Sequence, residues 1–313
     1  GCNDRSYQVY TELNSNQQFS LSDSSEINEI INNKKKFRSF ATANKLSVPR
    51  VIKSKDVGGI WPLIIKPVDA YSGMGITIIK ESERNMLPSA MKFAKENSRT
   101  KTCIIEEFVE GQLYSHSAFI SNKSILIDFI VEEHGTANSF AVDTSKVIND
   151  FSQKILDDIR KEICHLADKL NLVDGLIHTQ FIKHGNSFWI IEVTRRCPGD
   201  LYSYLIESST GFNYSQFYTK PFLNQKINLP DQPLKTAYIL RHTISRPNEG
   251  FFSSIKFNLP IYIDRLVQIA SSGDFIKSSP SGRIGILFIR ADSKRELNIL
   301  YELTLNRQLY SIL

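Results

Sequence analysis

Four segments of the 313-residue chain carry side chains able to handle anions or a metal ion. The first is Lys66-Pro67-Val68-Asp69-Ala70-Tyr71-Ser72-Gly73-Met74-Gly75. A lysine at a strand end can set its ammonium on a phosphate. A small-residue turn after it lets backbone N–H groups approach phosphate oxygens. The lysine precedes the glycines and no GKS or GKT follows, so this is not a Walker A loop. Alone, Ser-Gly-x-Gly is equally the chemistry of a plain turn. The second segment is Glu106-Glu107-Phe108-Val109-Glu110-Gly111. An apolar strand ending in acids can offer backbone groups to an adenine edge and a carboxylate to a ribose, or simply run out into a solvated turn. The third is a hairpin, strands 176–183 and 187–194 about His184-Gly185-Asn186. Strand alternation puts His178 and Gln180 on one face, and Ile190, Glu192 and Thr194 on one face of the partner. Gln180 then approaches Glu192, and a carboxylate with an amide oxygen suits Mg²⁺. Glu192 lies in an apolar run and needs a partner. A structural ion pair with Arg195 or Arg196 is the alternative. The fourth is Arg195-Arg196-Cys197-Pro198-Gly199-Asp200, where a guanidinium can fork onto phosphate or carboxylate. No histidine is placed to activate Cys197, which reads as a small packed residue.

Other chemistries find no support. The histidines show no HExxH spacing and there is no G-x-S-x-G elbow. The four cysteines form no CxxC, which argues against a zinc site or redox dithiol and suits a reducing compartment. The net charge of +5 fits an anionic small substrate, and excess surface lysine explains it equally well. The most basic run, Lys34-Lys35-Lys36, reads as a solvated helix start rather than a nucleic-acid groove. No apolar stretch reaches the roughly 18 residues needed to span a membrane, and no signal peptide is visible.

These residues need elements to hold them. Residues 14–25 are polar and rich in Ser and Asn. A helix is expected from Ser25 or Glu26 through Ile27, Ile30 and Ile31, and a second over 36–45 with Phe37, Phe40 and Ala41 on one face. Val48-Pro49 ends it. Strands are expected at 61–67, 76–79 and 103–109, with a helix at 88–97. Two antiparallel strands follow at 113–119 and 124–131. Phe151, Ile155, Ile159, Ile163, Leu166 and Leu170 recur every three or four residues and mark a long amphipathic helix. A helix at 201–208, strands at 236–243 and 283–290, and a closing helix at 293–305 complete the chain. Pro230 to Pro233 reads as a lobe boundary.

The order of these pieces, from a lysine-bearing helix start through Val-Pro, strand-Lys, Glu-Glu-Phe-Val-x-Gly and Ile-Glu-Val-x-x-Arg, resembles the ATP-grasp superfamily. It looks closest to the branch holding carbamoyl-phosphate-synthetase-like and biotin-carboxylase-like enzymes and the amino-acid ligases. The resemblance spans about residues 32–214. It implies an α+β ATP-grasp fold, two α+β lobes clamping the nucleotide, with a remnant of an N-terminal α/β lobe. The implied division is 1–32 for the remnant, 33–110 for the small lobe with its entry helix, 111–230 for the large lobe with the metal site, and 231–313 for its C-terminal part or an appended subdomain.

The resemblance also implies roles. Lys36 matches the first nucleotide-binding lysine, and Lys66 the one that contacts the α- and β-phosphates. Ser72, Gly73, Met74 and Gly75 match the loop closing over the triphosphate. Glu106, Glu107, Phe108 and Val109 match the adenine-holding segment. Glu192 matches the Mg²⁺-bridging glutamate, and Arg196 the arginine that stabilises the transferred phosphoryl group. Gln180 stands where the family usually has a second acidic ligand, and Thr194 where it usually has Asn. Both can coordinate Mg²⁺ with less negative charge. The implied activity is ADP-forming carboxylate–amine ligation through an acyl phosphate, with ATP and Mg²⁺ (or Mn²⁺), in the cytoplasm, by a chain that can form a homodimer. Its partners are a small carboxylate and an amine, held partly by Tyr202, Arg241 and the 198–200 turn, without nucleic acid or membrane. Two alternatives stay open: a bicarbonate-activating carboxylase or carbamoyl-phosphate-synthase-like enzyme, and a degenerate nucleotide binder without turnover.

Overall fold

The structure, a computed structural model, describes residues 3–14, 22–53, 57–71, 73–229 and 233–313. In chain order its elements are α1 (Asp4–Leu13), α2 (Ser25–Asn32), α3 (Lys34–Ala43), β1 (Leu63–Pro67), β2 (Thr77–Ile79), α4 (Leu87–Glu96), β3 (Cys103–Glu107), β4 (Gln112–Ser121), β5 (Ser124–His134) and β6 (Thr144–Ile148). Next come α5 (Gln153–Lys169), β7 (Gly175–His184), β8 (Ser187–Thr194), α6 (Tyr202–Thr210), α7 (Tyr214–Thr219), β9 (Tyr238–Ile244), β10 (Gly250–Phe251), β11 (Ile255–Phe257), β12 (Tyr262–Gln268), β13 (Phe275–Ile276), β14 (Gly285–Ala291), α8 (Lys294–Leu305) and β15 (Tyr310–Ile312). Two compact units result.

The first unit comprises Gly1–Asp128, Asp150–Cys197 and Phe217–Leu229. It holds an antiparallel sheet in the order β2–β1–β3. Leu63, Ile65, Ile79 and Ile105 of this sheet bury against Ala90 and Ala94 of α4. β1 is buried at every residue, so Lys66 is inside the protein by virtue of its strand. β4 pairs with β7 and β7 with β8, all antiparallel. α5 buries Ile155, Ile159, Ile163 and Leu166, the stripe its sequence spacing demands.

Two caps fix the entry to the site. Ser24 accepts the Ile27 N–H and starts α2; Asn33 accepts the N–H groups of Lys35 and Lys36 and starts α3. β8 ends the strand order, and its outer side is covered: the Ile190 N–H donates to the Ser47 carbonyl at 2.7 Å, and Arg38 Nη2 to the Ile191 carbonyl at 2.8 Å. α1 is a helix the polar composition does not announce. It buries Tyr7 and Thr11.

The second unit comprises Phe129–Asn149, Pro198–Gln216 and Pro230–Leu313. β12, β14, β9 and β6 are neighbours in that order. Leu240, Ile244, Leu287, Ile289, Leu297, Leu300 and Tyr301 build its core. β12 escapes the sequence reading because its apolar residues are not buried: Tyr262 is 66% exposed.

Candidate nucleotide and metal site

Three buried charges meet on the three-stranded sheet. Antiparallel register sets Ile64 opposite Glu106, and Lys66 Nζ reaches Glu106 Oε2 at 2.7 Å. Arg38, arriving from α3, places Nε 2.6 Å from Glu106 Oε1 without aiming its N–H along the bond. Glu106 is fully buried. Burial alone would raise its carboxyl pKa, but Lys66 and Arg38 outweigh that and hold it low. Burial pulls the Lys66 ammonium down, against the attraction of Glu106. Two cations on one carboxylate leave a net positive charge inside the protein. Arg38 Nη1 is buried without a hydrogen-bond partner among the described residues.

The β7–β8 hairpin supplies the opposite charge. Gln180 pairs in register with Glu192, and His178 with Thr194. A register shift follows, so that Phe181 faces Ile190 and Ile191 is the extra residue. This bulge puts Ile190, fully buried, out of step with half-buried Glu192, so the shared face expected of Ile190, Glu192 and Thr194 is broken at Ile191. The Glu192 carboxylate has no hydrogen bond or ion pair to any described residue. Its field reaches Arg196 and Tyr71. Thr194 Oγ1 accepts the Arg196 N–H at 3.3 Å. Arg38 connects the two halves: its guanidinium touches the Glu106 carboxylate and donates to the carbonyl of Ile191, the residue before Glu192.

Both arginines after β8 are engaged, though not with Glu192. Arg195 donates to Asp23 at 2.6 Å and to the carbonyls of Leu176 and Val173. Arg196 forks onto Asp4 of α1, at 2.5 Å from Nε and 2.7 Å from Nη2. Burial works against the Arg196 charge, but Asp4 outweighs it and raises the pKa. Beside them His178 is buried and shares a 2.8 Å hydrogen bond with Ser117. Burial, with Arg196 and His116 nearby, lowers it to about 3, so it is neutral at pH 7.

Residues 60–203 match the family model described as the ATP-grasp domain. Solved structures share the fold of the whole chain. The L-amino acid ligase from Bacillus licheniformis superposes with a TM-score of 0.80 at 19% identity, covering 100% of this chain and 79% of that one. This is an ATP-grasp fold. Phosphoribosylglycinamide synthetase from Anaerococcus prevotii gives 0.72 at 17% identity, with 100% and 81% covered. The biotin carboxylase domain of Hydrogenobacter thermophilus 2-oxoglutarate carboxylase, a dimer described with MgADP, ADP and bicarbonate, gives 0.72 at 12%, with 98% and 72% covered.

Within the ATP-grasp fold, the residues singled out by sequence fall as follows. Lys66 and Glu106 are in contact. Lys36, in the first turn of α3, is half-exposed and pairs with Glu29. Gly73, Met74 and Gly75 form the turn after β1, with Met74 47% exposed, whereas Ser72 lies outside the described residues. Glu107 accepts the Arg50 N–H at 2.9 Å, and the N–H groups of Glu107 and Phe108 are bonded to Arg50 and Pro62 carbonyls. Val109 follows at partial exposure. Arg38 and Asp4 escape sequence reading. A basic residue in a Lys/Arg-rich helix start looks solvated, and partners 68 or 192 positions apart leave no local signal.

Gln180, Glu192 and Thr194 fit one magnesium ion better than two. Among the described residues no three His, Cys, Asp or Glu side chains gather as a metal cage. Magnesium is usually held by one or two carboxylates together with substrate phosphates. An unpaired Glu192 facing an amide meets that requirement. No helix among the described residues is long and apolar enough to cross a membrane.

Proposed function

We propose that this protein is a cytoplasmic ADP-forming ligase that activates a carboxylate as an acyl phosphate and passes it to an amine. The observation that carries the reading is Arg38, one side chain tied both to Glu106, the partner of Lys66, and to the strand bearing Glu192. That arrangement sets a net-positive buried cluster for phosphate near an unpaired carboxylate for magnesium. In this reading Lys66 contacts the α- and β-phosphates and Lys36 the incoming nucleotide. Residues 72–75 cover the triphosphate. Glu106, Glu107, Phe108 and Val109 border the adenine, with the Glu107 and Phe108 N–H groups already taken by backbone carbonyls. Arg196, oriented by Asp4, steadies the transferred phosphoryl group. Glu192, Gln180 and Thr194 would hold the ion, and bound magnesium would neutralise charge on the phosphate oxygens. Tyr202 and Arg241 belong to the acceptor pocket.

The names of the similar structures, one an L-amino acid ligase, support amino acids as the first substrates to try. ADP release with Mg-ATP, over a panel of amino acids, other carboxylates, amines and bicarbonate, tests the reading. Turnover requiring both an acid and an amine is expected. Turnover with bicarbonate alone replaces the ligase with a carboxylase-type enzyme. Nucleotide binding with silence across the panel favours a binder without turnover, the reading Gln180 and Thr194 support. Sedimentation velocity tests the expected homodimer.

A further inference from the structure

The second unit contains a cavity of about 260 Å³, lined by Arg246, Pro247 and Asn248 after β9, Arg307 after α8, and Tyr310 and Ile312 of β15. It shares no residue with the site above and owes nothing to the ligase reading. Its two arginines differ from Arg195, Arg196, Arg283 and Arg290, each of which pairs with a carboxylate. Arg246 donates Nη1 to the Phe251 carbonyl at 2.6 Å. Arg307 donates Nη1 to Thr136 Oγ1 at 3.2 Å and Nη2 to the Ser245 carbonyl at 3.0 Å. Among the described residues neither forms an ion pair with a carboxylate. A guanidinium has five N–H donors, so each keeps several.

The placement is built. The Arg246 guanidinium lies against Gly250, where a Cβ would sit 2.9 Å from Nη2, so a side chain there would push it away. Arg307 holds φ at 56°, the left-handed conformation glycine favours just past a helix end. Behind the cavity runs a closed chain of hydrogen bonds. Asp143 accepts from Thr136 N–H and Oγ1, from Ala137 N–H and from Thr144 Oγ1. Thr144 Oγ1 is 2.8 Å from His242 Nδ1, and His242 Nε2 is 2.5 Å from the Tyr310 hydroxyl. Thr144 donates to Asp143, so it accepts from His242 Nδ1, and Tyr310 donates to Nε2. Burial, assisted by Arg307 and Arg241 against the pull of Asp143, lowers His242 to about 4. The histidine is therefore neutral at pH 7, and Asp143 is held by the Thr136–Thr144 network. The two arginines are the charged side chains that line the cavity, with the Asp143 carboxylate set behind Thr136.

We propose that this cavity binds an oxyanion group, the phosphate or carboxylate of a small metabolite, between Arg246 and Arg307, with Tyr310, Ile312 and Pro247 as its walls. Guanidinium forks match both groups, and a dianion meets both arginines at once.

Calorimetric titration of the full chain with inorganic phosphate, and separately with succinate, tests this. Arg246→Gln is expected to weaken the anion that binds here by tenfold or more, while Arg295→Gln, on the exposed face of α8, leaves it unchanged. Dependence on Arg246 for phosphate assigns a phosphorylated ligand, and dependence for succinate alone assigns a carboxylate. If neither anion's affinity responds to Arg246→Gln, the proposal is overturned. A readout on the unaltered protein guards against a variant that folds poorly. Excess anion should shield Arg246 and Arg307, and not Arg295, from phenylglyoxal as mapped by mass spectrometry. Equal labelling with and without anion also overturns the site.

Discussion

Glu106 is the side chain on which the buried site balances. Removing Lys66 breaks one buried pair but leaves Glu106 balanced by Arg38, so the loss should fall below the cost of a fully uncompensated buried charge, about 3–5 kcal/mol. Sequence alone would expect Lys66→Ala to stop turnover in an intact fold; the buried pair adds a loss of stability. Lys66→Met should therefore abolish ADP release and lower the denaturant midpoint. The double variant Lys66→Met/Glu106→Gln leaves the Arg38 guanidinium buried without a carboxylate, so it should lose further stability and regain no turnover. A double variant no less stable than Lys66→Met would mean that Arg38 does not depend on Glu106. On the hairpin, Gln180→Glu adds a carboxylate opposite Glu192 and should tighten nucleotide-dependent Mg²⁺ binding, because affinity follows ligand charge. Unchanged affinity in a titration of the two proteins would remove Gln180 from the metal site. At this scale the sequence reveals the side chains with local grammar, Lys66 at a strand end and Glu192 in an apolar run. It hides Arg38, whose burial depends on a strand far along the chain.

Elements decide what the glycine turn after β1 means. Gly75 has φ 72°, and a Cβ there would lie 2.6 Å from Asn97 Cβ and 2.7 Å from Pro67 Cγ. Gly75→Ala should destabilise the protein by about 1–3 kcal/mol, from overpacking and left-handed strain together. Chemical denaturation checks it. A loss of nucleotide binding in that variant would then not prove a backbone–phosphate contact. Elements with strong periodicity are legible: α5 and the β7–β8 hairpin lie within two residues of expectation at each end. The bulge at Ile191 is not, because alternation assumes an unbroken ladder. Nor is α1, whose capping box of Asn3 and Ser6 is written in the same polar letters as a loop.

For the whole molecule, acid is the expected weakness. His178 and His242 are lowered from 6.5 to about 3 and about 4, so the unfolded chain binds more protons than the folded one between those values and 6.5. Stability is then fully present above pH 6.5 and falls as the pH drops, by up to about 1.4 kcal/mol per pH unit for each histidine. The two histidines sit in different units, so each unit carries its own acid sensitivity. Thermal unfolding should shift to lower temperature between pH 7 and pH 5, and His178→Gln/His242→Gln should flatten that slope. A slope left unchanged would mean that these histidines stay accessible to protons in the folded state. The covered edge of β8 has a further consequence, one of time. Arg38 and Ser47 are synthesised well over a hundred residues before the strand whose N–H and carbonyl groups they occupy. Chains leave the ribosome N-terminus first. When β8 emerges, its cover is already made, and the strand need not wait, sticky and unpaired, among the neighbouring nascent chains.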